Sequence, residues 1–473
     1  MRTGRFCLFL SCALAMAGCM TISDAQRAQR AVAAKGDGTE SKESLSKFDL
    51  TDYSLKELVE FAMTNRPSVV SAALAAEDAR LALREIAADA PLVSYSPWTS
   101  PHLDFSGGYA AASEQGKHLH WATEGTASAG LSLQILLYDF GRNAARASEQ
   151  VERVIEAEHA FIREGYTVFE EVSTAYFNLL ESDAYLDVAI TNETEFALHL
   201  RQAEEMLAAG ERQRLDVVRA RAELYQAKQD TIAKSNAVVT AGAELMRALG
   251  VDASRGTRNE VYPSSGNALA ELTRGFARST YGVDAAFHLA RTNAPAVAIS
   301  RARLRAASHA VDRAIADLMP SVQASVSLSW TDPLWVWHWG VDAAQSLFQG
   351  FRKTTAVDRA VVQMHGAAAD VDDVEQQLSL EIEQEIAVRD NAGKAWETAR
   401  MTVAAAREEF ELAKARYLEG DASRVDFTDA MTGYTLALGQ RITAFYAGQR
   451  AEAKLFATTG TLPKYHEETI RRK

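Results

Sequence analysis

The chain has 473 residues and a net charge of −13, from 50 Lys and Arg against 63 Asp and Glu. That length holds two or three ordinary domains. Charges of both signs are interspersed along most of it, which argues against nucleic acid, a partner that favours a basic patch. Few prolines and abundant Ala, Leu, Glu, Gln and Arg predict long helices.

The N-terminus speaks to the compartment. Arg2 and Arg5 precede an apolar run from Phe6 to Ala17, too short to span a membrane as a mature helix. Met16-Ala17-Gly18-Cys19 then reads as a bacterial lipobox, with Met where Leu is usual. It predicts a lipoprotein signal peptide over 1–18 and acylation of Cys19. Cys7 and Cys12 leave with the signal, so no disulfide framework remains. Loss of Arg2 and Arg5 leaves 48 basic against 63 acidic residues, or −15. Met20, not Asp, follows the lipid site, which by lipoprotein sorting rules favours the outer membrane. Residues 19–50 are polar and read as a tether from the lipid to the body. No later segment has eighteen uninterrupted apolar residues, so any membrane crossing falls to strands.

Ser54 and Glu57 form a capping-box signature opening a helix that should run unbroken to about Ala90, before Pro91, Pro97 and Pro101. Next come four alternating runs. Leu103, Phe105, Gly107 and Tyr109 oppose His102, Asp104, Ser106 and Gly108. Ala127, Ala129, Leu131, Leu133 and Ile135 oppose Thr126, Ser128, Gly130, Ser132 and Gln134. Val322, Ala324, Val326, Leu328 and Trp330 oppose Gln323, Ser325, Ser327, Ser329 and Thr331. Trp335, Trp337, Trp339, Val341 and Ala343 oppose Val336, His338, Gly340 and Asp342. Each run is about ten residues, the length of a tilted membrane strand. A soluble half-buried sheet alternates too. The small polar inner faces favour a wet lumen, and six of the seven tryptophans (Trp98, Trp121, Trp330, Trp335, Trp337, Trp339) lie in or beside these hairpins, as an aromatic girdle would. Four strands cannot close a membrane barrel, so copies of the chain must share one.

Helix resumes at about 143 and continues to about 249, with a break at Gly210. Ile155, Ile162, Phe169 and Tyr176 keep the seven-residue spacing of a coiled-coil seam. A helix over 143–208 would be about 100 Å long. The plan then recurs. Gly210, Asp216 and Ala220 return as Gly420, Asp426 and Ala430, an offset of 210; Leu137-Tyr138-Asp139-Phe140-Gly141-Arg142 returns as Leu347-Phe348-Gln349-Gly350-Phe351-Arg352, and Leu249-Gly250 as Thr459-Gly460. Asn65-Arg66-Pro67 returns as Asn293-Ala294-Pro295, and Pro91 is paired with Pro320. The reading is a duplicated unit: a first repeat over 51–250, a linker over 251–280, a second repeat over 281–463 and a tail over 464–473.

Over about 54–463 the sequence resembles the TolC family of outer-membrane efflux and secretion channels. The carriers are the two Asn-x-Pro motifs, the Leu-Tyr-Asp-Phe-Gly-Arg corner, the glycine-centred turns and Val425-Asp426-Phe427-Thr428-Asp429-Ala430. The lipobox resembles the family's acylated branch. The resemblance implies a mainly α fold with a membrane β part: a homotrimer closing a twelve-stranded outer-membrane barrel, continued by a helical barrel in the periplasm. It also implies a periplasmic adaptor protein and an inner-membrane transporter as partners, and a role as the exit duct for small molecules. Type I protein secretion is the alternative, since the same duct serves both. A coiled-coil scaffold or adaptor lipoprotein is the rival class, but it has no use for two Trp-rich hairpins.

No phosphate loop, His-Glu-x-x-His or Gly-x-Ser-x-Gly is present, so no enzyme is expected, and no cofactor. His118 and His120 lack a third metal ligand. By the family resemblance Asp426 and Asp429 match the acidic ring at the periplasmic aperture, and three copies of such carboxylates would attract cations. In the first repeat Asp216 answers Asp426, but Arg219 answers Asp429. That asymmetry suggests that Arg219 pairs with a neighbouring carboxylate and holds the tip closed. The turns at Gly210-Glu211 and Gly420-Asp421 are the expected adaptor contacts.

Overall fold

The computed structural model describes residues 54–88, 102–111, 125–210, 213–251, 281–331, 334–346, 348–419 and 423–461. All lie in one compact unit, Tyr53–Val251 with Ser265–Lys473. Cys19, the tether, the linker, Trp98, Trp121, the histidine pair and the tip residues Glu211, Gly420 and Asp421 fall outside the described residues.

In chain order the elements are α1 (Leu55–Asn65), α2 (Pro67–Ala88), β1 (His102–Ala111), β2 (Gly125–Tyr138), α3 (Arg142–Ala208) and α4 (Arg214–Ala248), then α5 (Val283–Asn293), α6 (Pro295–Ala316), β3 (Ser321–Thr331), β4 (Leu334–Ala344), α7 (Arg352–Glu419) and α8 (Arg424–Thr459). Helix, hairpin and helical hairpin therefore occur twice. Among the described residues no helix is long and apolar enough to cross a membrane.

Ser54 closes the capping box of α1: its N–H donates to Glu57 Oε2 at 2.8 Å, and the Glu57 N–H to Ser54 Oγ at 3.5 Å. The helix does not continue to Ala90. It stops at Asn65, because Pro67 has no N–H and pushes the preceding residue out of the α region; Arg66 is extended, with φ −68° and ψ 127°. Ala294 breaks the second repeat in the same way before Pro295, with φ −65° and ψ 125°.

The four strands form one antiparallel sheet in the order β1-β2-β3-β4. Its register keeps the two faces pure. Leu103 opposes Leu133, Leu133 opposes Val326, and Val326 opposes Trp339. On the other face Asp104 opposes Ser132, Ser132 opposes Ser327, and Ser327 opposes His338. A bulge between Leu136 and Tyr138 re-aims β2 toward the corner into α3. Pairing His102 with Gln134 and Ser321 with Ala344 makes His102 the counterpart of Ser321. Pro320 therefore answers Pro101, not Pro91, because the first repeat has a longer connection before its hairpin.

At that corner Phe140 takes φ 56° and Gly141 φ 87°. Asp139, 3 % exposed, holds the turn: its carboxylate accepts from the Gly141 N–H at 3.2 Å and the Asn143 N–H at 2.7 Å. In the second repeat Gln349 accepts instead from the Arg352 guanidinium at 2.9 Å, and Gly350 and Phe351 take the positive φ values. The departure from the acidic residue is thus absorbed locally.

α3 packs on α2 and α4 from its own repeat and on α6 and α8 from the other, while α7 packs on α6 and α8. The lateral order of helical columns, α2/α4, α3, α6/α8, α7, follows the strand order. Glutamates on α3 bond arginines on α6 across the repeat boundary: Glu149 with Arg313 at 2.9 Å, Glu152 with Arg305 at 2.8 Å and Glu156 with Arg303 at 2.6 Å.

Candidate functional site: the helical tip and its supports

The ends of α3 and α7 and the starts of α4 and α8 meet around an aromatic core of Phe196, Phe410, Tyr417 and Phe427, with Leu224 and Met431. Gly210 follows the C-cap of α3, before α4 begins, with φ 81°, a conformation glycine adopts without strain. Ser423 is the N-cap of α8 and Asp426 its N3 residue. The Asp426 carboxylate accepts from the Ser423 N–H at 3.0 Å, and its N–H donates to Ser423 Oγ at 3.2 Å. Hydrogen bonding to the Ser423 side chain, and then to its backbone N–H, holds the carboxyl pKa below the usual carboxylate value. Asp426 therefore caps the helix, whatever else it faces. Asp216 sits at the matching place in α4, its N–H bonded to the Gln213 carbonyl at 3.0 Å. Asp429 lies nearly one turn beyond Asp426 and is exposed, as is Arg219.

Among the described residues Arg219 and Asp429 form no ion pair within the protomer. The ion pair from α4 to α8 is Arg424–Glu223, which sequence reasoning missed. Its side chains are 17 % and 20 % exposed. Burial raises the Glu223 pKa, while Arg424 and then Arg219 pull it down. His199 of α3, 1 % exposed, stacks on Phe427 at 4.8 Å between ring centroids and lies 5.1 Å from Tyr417; its Nδ1 is 3.9 Å from Glu223. Residues of all four helices thus converge behind the capping aspartate. The repeat offset could not reveal the pair, because the counterparts of Arg424 and Glu223 are Arg214 and Gly433.

The helical body also holds buried acids away from the tip. Glu385 on α7 is 5 % exposed and accepts from Thr458 Oγ1 at 2.8 Å, with Lys454 Nζ at 3.5 Å. Burial, reinforced by nearby Glu381 and opposed by Thr458 and Lys454, pushes its pKa up to about 7. A carboxylic acid raised in this way stabilises the fold below its unfolded pKa, and that contribution is lost as pH rises through 7. Thermal unfolding in detergent should show the protein losing stability between pH 5 and 8, by roughly 3 kcal/mol for this group. Glu385→Gln should flatten that slope; an unchanged slope would assign it to other groups.

Trp330 lies one residue before the end of β3 and pairs with Trp335 on β4 at 6.4 Å between centroids. Trp335, Trp337 and Trp339 are 56 %, 71 % and 84 % exposed. All four fall on the apolar sheet face, in the register that the alternation predicts.

The profile of outer membrane efflux proteins matches residues 58–251 and 286–461. The chain belongs to that family. Its members are channel proteins, and the matches take in both repeats. No curated protein matches the sequence. Among solved structures, CusC is similar with a TM-score of 0.74 and 18 % identity, covering 89 % of this chain and 95 % of that one. VceC of Vibrio cholerae gives 0.71 and 16 %, covering 86 % and 96 %. The Campylobacter jejuni outer membrane channel CmeC gives 0.72 and 16 %, covering 88 % and 89 %. At these identities the likeness establishes the fold, which is TolC-like with two repeats.

Proposed function

We propose that this outer membrane efflux protein is the passive exit duct of a tripartite efflux system for small molecules. Three lipid-anchored copies share one barrel in the outer membrane of a Gram-negative cell and continue it as a helical tunnel into the periplasm. An inner-membrane transporter supplies the energy, and a periplasmic adaptor meets the tip turns around Gly210-Glu211 and Gly420-Asp421. The observation that carries this reading is the sheet. One face is mainly aliphatic and aromatic, the other mainly Ser, Thr, Gly and Gln with Asp104, His338 and Asp342, and both edges, β1 and β4, lack a partner strand among the described residues. Such a sheet is stable in lipid only when closed.

Asp426 and Asp429 are proposed to ring the periplasmic aperture, with Asp216 and Arg219 beside them. Replacing Arg219 or Asp429 should raise the resting conductance in a planar bilayer; unchanged conductance in a correctly assembled trimer would remove these residues from the gate. The efflux role is tested by deleting the gene and measuring accumulation of a fluorescent amphiphile. Deletion should raise accumulation several-fold, and the wild-type gene should reverse it. Normal accumulation with lost export of a protein substrate would favour secretion.

A further inference from the structure

We infer that the helical body holds a binding site for an uncharged, drug-sized amphiphile beside the aromatic core of the tip. This goes beyond a passive duct, which needs no binding station. It concerns the purified protein, whatever cargo the chain exports.

The site is a cavity of about 1090 Å³ walled by α3, α4, α7 and α8. Ligand pockets are roughly 300–1,000 Å³, so a drug-sized molecule has room. Phe196 lines the cavity and also belongs to the tip core, so the two adjoin. Small residues leave the space: Ala189 of α3, Ala392, Ala395 and Ala399 of α7, and Gly439 and Ala444 of α8. The offset of 210 sets Ala395 against Tyr185 of the first repeat. Alanine at a place where the repeat has tyrosine leaves a void unless the neighbours close in. Tyr185 itself is fixed in the wall. Its hydroxyl donates to the Gly439 carbonyl at 3.0 Å and lies 2.6 Å from Thr443 Oγ1, and a Cβ at Gly439 would meet its ring at 3.2 Å.

The lining defines what fits. Val388 and Leu436 border the cavity and are 55 % and 63 % exposed. An apolar body lying on them and on the alanines would take that surface out of water. Polar groups are spaced between. The side-chain amides of Asn391 and Gln440 line the cavity and have no hydrogen-bond partner among the described residues. They offer a ligand both donors and acceptors. Among the described residues the charged side chains of the lining are Asp230 and Lys234, four apart on α4 and opposite in sign. Lys234 Nζ stands 4.9 Å from the centre of the Tyr185 ring. The two charges cancel, so an ionised ligand would find no net counter-charge for its costly desolvation. The ligand is therefore neutral, with an aromatic or aliphatic body and a few hydrogen-bonding groups.

N-phenylnaphthylamine is such a molecule, and anilinonaphthalene sulfonate is the same skeleton with a negative charge. In the full-length protein, Ala395→Cys on α7 and Gln440→Cys on α8 report occupancy through their rates of maleimide labelling, read by peptide mass. Saturating N-phenylnaphthylamine should slow both several-fold and leave Ala404→Cys, exposed on α7 outside the cavity, unchanged. The sulfonate at the same concentration should protect far less. Adding Thr402→Trp or Val388→Trp, which fill the cavity from exposed positions, should abolish protection. Unslowed labelling of both cysteines, in protein with the wild-type unfolding temperature, would overturn the site. So would a failure of both to label at all, which would mean a wall closed to ligands. Equal protection by the two dyes would overturn the neutral class. Protection that survives both tryptophans in folded protein would place the dye elsewhere and overturn the assigned cavity.

Discussion

Arg424→Glu should raise the resting conductance of the reconstituted channel several-fold. Burial raises the Glu223 pKa, and Arg424 is the leading cation that opposes that shift. Reversing its charge places two carboxylates at a contact where each side chain is four-fifths shielded from water. Breaking a fully buried pair costs about 3–5 kcal/mol, and this partly exposed one should cost about 1–3. The helices would relieve that cost by separating at the tip, where among the described residues this is the ion pair between α4 and α8 and the aromatic core lies beside it. Exchange of the partners, Arg424→Glu with Glu223→Arg, should return the conductance toward the wild-type value. If Arg424→Glu assembles normally and conducts like the wild type, the tip is held by other contacts.

Gly460→Val should destabilise the protein by roughly 3–5 kcal/mol, from left-handed backbone strain plus overpacking. Gly460 caps α8 with φ 66°, and a Cβ there would stand 2.7 Å from the Asn293 carbonyl oxygen and 3.1 Å from the Ala294 nitrogen. Its own carbonyl accepts from the Tyr166 hydroxyl at 2.9 Å. The break before Pro295 and the glycine after α8 are thus two sides of one joint. The first repeat builds the same joint from Gly250 and Arg66, where a Cβ would meet Arg66 at 3.1 Å. Gly210 has φ 81° with open space around it, so Gly210→Ala should lose only about 1 kcal/mol. Thermal unfolding in detergent separates the two. Equal losses would mean that the joint tolerates a side chain and that backbone strain alone counts.

Strand faces were the most legible feature of the sequence. Alternation with period two places Leu133 on the apolar face, but a shift of two residues keeps both faces pure, so its partners Leu103 and Val326 could not be read from patterning. The breaks at Arg66 and Ala294 were legible in principle, since a residue before proline leaves the helical region. They were obscured by taking the two Asn-x-Pro motifs as markers of the repeat and not as backbone instructions. Asp426 carries two readings. Ser423-x-x-Asp426 is a capping signature, and the structure makes that bond; a place in an acidic ring is a further proposal on the same side chain. Asp429 has no such local duty. The Arg424–Glu223 pair could not be read, because it joins positions that are not equivalent in the repeat, on two helices that each pack against α3. The raised pKa of Glu385 was equally hidden. Nothing in its neighbours along the chain distinguishes it from the exposed glutamates nearby.

Single-channel recording of the purified, full-length protein in a planar bilayer tests the central claim most directly. The account predicts discrete, long-lived conductance steps that favour cations, and a resting level that rises when Arg424 is replaced. A trimeric, folded preparation that inserts and gives no steps, with either the wild type or Arg424→Glu, would contradict it.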